Sequence, residues 1–103
     1  MKPVRILADA RREFLKQVSY YEKQREGLGA RFRRAAELVF IRAGENPAHG
    51  KPGIGGTRRL LVQGFPFAVV YLESEREVTI YAVAHLSRSP RYWDQRLPAP
   101  EEK

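Results

Sequence analysis

His85, Arg58, Arg59 and Arg88 are the side chains of this sequence whose types best suit covalent chemistry. An imidazole moves protons near neutral pH and guanidinium groups hold charge that develops on a phosphate, and RNA cleavage needs both. His85 has no carboxylate or second histidine at a telling spacing, so its plainer reading is a strand-end histidine bonded to a neighbour. Arg58 and Arg59 are consecutive in an alternating stretch and point to opposite faces of a strand, so only one can join a phosphate-binding face. Lys51 stands in Gly50-Lys51-Pro52-Gly53-Ile54-Gly55-Gly56, whose glycines would let backbone amides approach an anion. A phosphate loop requires Ser or Thr after the lysine, and here Pro52 follows, so the run reads as a flexible loop. His49 has no ligand partner, and with no cysteine and two scattered histidines neither a metal site nor a cofactor is expected.

Other residues suit binding. Tyr92 and Trp93 lie among Arg88, Arg91 and Arg96 and form the aromatic, cationic segment of the chain; Trp93 itself reads as a plug against the core. Tyr92 and the three arginines are left as candidates for contact with a macromolecular target. Arg31, Arg33, Arg34 and Arg42 make a basic stripe, which is ordinarily a solvated helix face but would also attract an acidic partner. Phe14, Tyr20 and Tyr21 carry apolar surface that can extend beyond what a sheet covers and offer a partner a groove.

These residues need a scaffold, and 103 residues allow one domain, 1–103, with one modest core. Nineteen Lys plus Arg against 12 Asp plus Glu give a formal charge of +7 and a pI near 10.1, which favours an acidic partner such as nucleic acid, an acidic protein segment or an anionic surface. The absence of cysteine excludes disulfides and thiolate chemistry and is compatible with the cytosol. Nothing in the sequence has the length and hydropathy of a membrane span or secretory signal, so a soluble intracellular protein is expected.

The strongest structural signal is Phe65 to His85, two runs rich in Val, Ile, Tyr and Phe around the polar connection Glu73–Glu77, the pattern of a β-hairpin. Phe67, Val69 and Tyr71 share one face and Ala68, Val70 and Leu72 the other; with both faces apolar, this strand belongs in the middle of a sheet. Arg58 to Gln63 adds a strand before it, and Pro3 to Leu7 reads as an edge strand. Between them, Ala10, Phe14, Val18 and Tyr21 recur at helical spacing with Asp9 as N-cap, up to about Glu26. Gly27-Leu28-Gly29 forms the bend to a second helix over about Ala30–Arg42. A Gly- and Pro-rich loop follows from Gly44 to Thr57, mobile or functional at that length. Arg91 to Leu97 has room for a helical turn, Pro98 and Pro100 stop it, and the tail to Lys103 is expected to fray. The expected class is α+β, in the order β-α-α-β-β-β, with a helical hairpin packed on one face of a small antiparallel sheet. The other face is expected to stay partly open, lined by Tyr81, His85 and arginines at the strand ends.

In this order the sequence resembles the RelE/ParE superfamily of bacterial toxins. The resemblance rests on Ser19-Tyr20-Tyr21, Gly27-Leu28-Gly29 followed by Arg31-Phe32, Ile41 ahead of Asn46-Pro47, Arg58-Arg59, Phe65 through Tyr71, Ala82-Val83-Ala84-His85 and Arg88 through Trp93. It implies a toxin of a type II toxin-antitoxin system that arrests growth and is wrapped and neutralised by a cognate antitoxin in a hetero-oligomer, without a membrane. Phe14, Tyr20, Tyr21 and the basic stripe would then meet the antitoxin. RelE-like members cleave mRNA on the ribosome, whereas ParE-like members poison DNA gyrase without chemistry of their own. RelE-like sequences carry an Arg just ahead of the Val-Tyr of the central strand; here that neighbourhood is Phe67-Ala68-Val69-Val70-Tyr71. The ParE-like branch is therefore the nearer one, with DNA gyrase as the implied target and Arg88, Arg91, Tyr92, Trp93 and Arg96 as its contacts. The alternative is a ribosome-dependent ribonuclease using His85, Arg58 or Arg59, and Arg88.

Overall fold

The computed structural model describes residues 1–98; the tail expected to fray lies beyond Pro98, outside the described residues. The chain forms β1 (Val4–Ile6), α1 (Ala8–Gln24), α2 (Leu28–Glu45), β2 (Lys51–Pro52), β3 (Arg58–Leu61), β4 (Phe67–Glu73), β5 (Val78–His85) and a last helical turn, α3 (Arg91–Asp94). One sheet runs in the order β1-β5-β4-β3-β2, with β4 at its centre. The meander β2 to β5 is antiparallel, but β1 pairs parallel to β5, so the sheet is mixed rather than wholly antiparallel. A parallel neighbour requires a long connection, and here two helices and the intervening strands separate β1 from β5.

The helical hairpin covers one face. Ala10 and Phe14 of α1, with Phe32, Ala36, Val39, Phe40 and Ala43 of α2, pack on Val62, Phe67, Val69, Tyr71, Val78, Ile80 and Val83. Aromatic rings make the seam: Tyr21–Phe65, Phe32–Phe65 and Phe32–Phe67 centroids are 5.0, 5.1 and 5.4 Å apart.

Gly27 takes the left-handed conformation, φ 86°, and turns the chain. Gly29 then lies in α2, not in the turn, where a Cβ would sit 2.5 Å from the Val18 carbonyl oxygen. The Glu22 carboxylate accepts hydrogen bonds from the Gly27 and Gly29 N–H groups and satisfies the opening of α2. Asp9 is not the N-cap of α1: Leu7 holds that position without a side-chain bond, and Asp9, inside the first turn, pairs with Arg12.

The Gly44–Thr57 segment is folded into two short 3-10 turns around β2. Tyr71 holds it from below: its Oη donates to the Pro47 carbonyl at 2.7 Å and accepts the Gly50 N–H at 3.0 Å. Burial raises the pKa of this phenol first of all, which keeps it a neutral donor.

Candidate functional site

The second face of the sheet is built from small side chains. Register puts Ala68 opposite Ala84 and Val70 opposite Ala82, and the cover over them is Trp93 of α3, flanked by Tyr92 and Leu97. Trp93 is thus the plug expected of it. Because the residues around it are small and α3 is one turn long, a cleft of about 130 Å³ remains beside the indole, floored by Ala68, Val70 and Ala84.

The cleft gathers residues distant in sequence. Lys51, Arg58, Arg59, His85 and Arg88 border it, and among the described residues no carboxylate or phenol does. Arg59, opposite Val70, is the arginine on this face; Arg58 pairs with Tyr71 on the helix-covered face and donates to the Gly50 carbonyl at 2.8 Å. His85 shares the face of its partner Phe67, with ring centroids 5.2 Å apart, and stands on the ridge between this cleft and a groove along α1. The His85 Nδ1 accepts the Ser87 N–H at 3.0 Å and lies 2.8 Å from Ser87 Oγ. Tyr81 does not line the open face. Val70 pairs with Ala82 and Tyr71 with Ile80, so Tyr81 is the extra residue of a bulge and is buried.

An ion pair holds the C-terminal segment in place. β1 ends at Ile6, opposite Ile80, which would leave the outer edge of β5 bare from Tyr81 onward. Arg96 and Glu13 of α1 close that edge. The Arg96 guanidinium makes bonds of 3.0 and 2.9 Å to the two Glu13 carboxylate oxygens and a third, 3.0 Å, to the Tyr81 carbonyl, while Glu13 accepts the Val83 N–H at 3.2 Å. Hydrogen bonding to Glu13 raises the Arg96 pKa further. Tyr92 lies alongside: the Arg88 guanidinium carbon is 3.6 Å from its ring centroid and that of Arg96 5.2 Å. Desolvation, then the Glu13 charge, pushes the Tyr92 phenol up to about 12.

Of the residues expected to meet a target, Arg88 and Tyr92 stack together beside the cleft, Arg91 is exposed, Trp93 is buried, and Arg96 is engaged in the ion pair. Of those expected to meet a protein partner, Phe14 is buried in the core, Tyr21 packs against Phe32 and Phe65, and Tyr20 is exposed. Arg31, Arg34 and Arg42 border a groove between α2 and β3, and Arg33 pairs with Glu37. Among the described residues no cluster of His, Cys, Asp or Glu could hold a metal ion, and no helix is long and apolar enough to cross a membrane. Glu13 escaped the sequence reading, and Tyr71 was read there only as part of the central strand, not as the anchor of the loop.

The chain is a small α+β domain with a helix-covered face on one side of the sheet and a cationic cleft on the other. The chain superposes on a protein described as the chromosomal ParDE TA system from P. aeruginosa, with a TM-score of 0.73 at 12% identity, over 82% of this chain and 96% of that one. The fold is therefore ParE-like. No family model matches the sequence, and no curated protein matches it.

Proposed function

We propose that the chain is a ParE-like toxin of a toxin-antitoxin pair, acting in the cytoplasm, that binds DNA gyrase and stabilises its cleaved-DNA complex until a cognate antitoxin removes it. The observation that carries this reading is the composition of the cleft: among the described residues it is lined by four cations and a single imidazole, with no carboxylate or phenol. Cleavage of RNA through the 2′-hydroxyl needs one group to take a proton and another to give one. Here the one imidazole already accepts the Ser87 N–H at Nδ1, and the phenols of Tyr20, Tyr21 and Tyr92 lie in the groove on the other side of His85. Cations without such a pair suit binding of an anionic surface. Arg59, Arg88 and Arg91 are the proposed target contacts, with Tyr92 stacked against Arg88.

The ribonuclease reading has one observation in its favour: Arg58, Arg59, His85 and Arg88 all border the same cleft. Supercoiling and cleavage assays with purified gyrase separate the two. The expected result is inhibited supercoiling with trapped cleaved DNA, undiminished by His85→Ala and abolished by the double change Arg59→Glu, Arg88→Glu. Ribosome-dependent mRNA cuts that disappear with His85→Ala, together with untouched gyrase, would establish the ribonuclease instead.

A further inference from the structure

The polar side chains around the cleft beside Trp93 are almost all hydrogen-bond donors. Lys51 and Arg59 are cross-strand partners of β2 and β3 and both border the cleft, so two like charges stand opposite each other on one face, an arrangement that destabilises a sheet unless an anion lies between them. No carboxylate takes that place: among the described residues Lys51, Arg58, Arg59 and Arg88 are in no ion pair, whereas Lys2, Arg5, Arg12, Arg33 and Arg96 all are. Arg88 comes from the segment between β5 and α3. The flat face of its guanidinium lies over the Tyr92 ring, which leaves the N–H edges for an acceptor. His85 adds a further donor, because its Nδ1 accepts the Ser87 N–H and the proton of the neutral ring is therefore on Nε2. Thr57, the remaining polar side chain of the lining, spends its hydroxyl proton on the Ile54 carbonyl at 2.6 Å.

Between these donors the lining is apolar. Ala68, Val70, Ala84 and Trp93 are buried around the cleft, and Ile54 and Leu86 add apolar surface to its border, 48% and 54% exposed. The volume of about 130 Å³ suits one aromatic ring, since a cavity of about 150 Å³ holds benzene. A nucleotide fits neither feature: its sugar and base edges carry polar groups that need partners when buried, and among the described residues no Asn, Gln, Ser or carboxylate side chain lines the cleft. Inorganic phosphate would meet the cations but leave the apolar lining uncovered.

We infer that the cleft is a binding site for a small aryl carboxylate, one apolar ring bearing one carboxylate. The ring lies over Ala68, Val70 and Ala84 beside the Trp93 indole, and the carboxylate is held among Lys51, Arg59 and Arg88. Burial of the ring and pairing of the carboxylate act together, and neither half suffices alone. Binding of such an anion does not depend on the reading of the cleft as a target site; only its consequence, competition with a target for Arg59 and Arg88, rests on that reading.

Trp93 is the single tryptophan of the chain, so its fluorescence reports on the cleft directly. The test titrates the intact protein with benzoate, with benzamide as the neutral ring, with acetate as the head group alone, and with adenosine monophosphate. Benzoate is expected to give a saturable change, with benzamide and acetate about tenfold weaker or more. Ala84→Leu fills the floor and should remove benzoate binding. Arg59→Gln with Arg88→Gln changes only exposed side chains and should weaken benzoate by about tenfold or more, which keeps the test decisive even where Ala84→Leu fails to fold. No saturable response to benzoate overturns the inference, as does equal binding of benzamide or acetate, benzoate binding that survives the double arginine change, or tighter binding of adenosine monophosphate with the same arginine dependence. Gyrase inhibition measured without benzoate decides the target separately.

Discussion

The two faces of the sheet are made on different principles. The helix-covered face is closed by large aromatic side chains, Phe14, Phe32 and Phe40 from two long helices and Phe67 from β4. The other has Ala68, Val70, Ala82 and Ala84 under one indole, on a helical turn of four residues secured by the Arg96–Glu13 pair. Close packing of long elements gives the first face its stability. Small residues under a short cover leave the second a cleft, and cations can gather there because nothing bulky fills it. The contrast teaches that in so small a domain one side can carry most of the packing while the other keeps an open cleft.

The largest expected effect breaks the packed face. Phe32 is fully buried and central to the aromatic seam, so Phe32→Ala should cost about 3–5 kcal/mol, read as a lower midpoint in denaturant unfolding. Trp93→Ala removes as large a ring but from a cover that can detach alone, so its damage should be local. Limited proteolysis should cut near residues 86–97 before the core melts. A global loss equal to that of Phe32→Ala would show that the faces are not independent.

Next comes the ion pair. Glu13→Gln leaves the Arg96 guanidinium without its carboxylate, and Glu13→Ala also strips the Val83 N–H of its acceptor. Both groups are partly shielded, Arg96 at 15% and Glu13 at 21% side-chain exposure, so Glu13→Ala should cost about 1–3 kcal/mol, with Glu13→Gln milder. Proteolysis of the C-terminal segment should accelerate in the same order.

A change of similar size addresses the loop anchored to the packed face. A Cβ at Gly50 would lie 2.3 Å from Tyr71 Oη and 3.0 Å from the Arg59 carbonyl oxygen, so Gly50→Ala should cost about 1–3 kcal/mol by overpacking. Tyr71→Phe also costs, because it orphans the Gly50 N–H and the Pro47 carbonyl. The double variant removes the clash, so its loss should be smaller than the sum, a coupling that a double-mutant cycle measures.

Much of this was legible in the sequence. Phe67 to Tyr71 announced the central strand through two apolar faces, and Gly27 announced the turn because only glycine adopts its φ freely. Trp93 was expected to plug the sheet. The parallel pairing of β1 was not legible, because a three-residue strand carries no sign of its partner's direction. Nor was the bulge at Tyr81, whose one-residue shift exchanges the faces of everything after it and puts His85 beside Phe67. The cleft arises from four separated segments, and nothing local marks Lys51 and Arg88 as neighbours. Glu13 shows the limit best: nothing near it in the sequence marks it, because its partner lies 83 residues away.

Smaller again is the effect of alkaline pH. The Tyr92 phenol, pushed up to about 12 by burial first and then Glu13, keeps its proton longer folded than unfolded, where tyrosine titrates near about 10. The stability it contributes is therefore intact below about pH 10 and is lost as pH rises toward about 12. Burial also raises the phenols of Tyr21 and Tyr71, so ultraviolet titration of tyrosinate should show a late-ionising component that Tyr92→Phe reduces; an unchanged curve would leave that component to Tyr21 and Tyr71 alone.

The smallest stability effect sharpens the comparison most. Arg59 is exposed, unpaired among the described residues and opposite Val70 on the cleft side of the sheet. Arg59→Ala should leave the unfolding midpoint within about 0.5 kcal/mol of the parent, because a solvated guanidinium contributes little to folding. If the chain is the toxin proposed above and Arg59 one of its target contacts, growth arrest on induction should nevertheless be weakened. If Arg59→Ala destabilised the domain as Glu13→Ala does, the cleft cations would be part of the scaffold, and the division of work between the faces would fail.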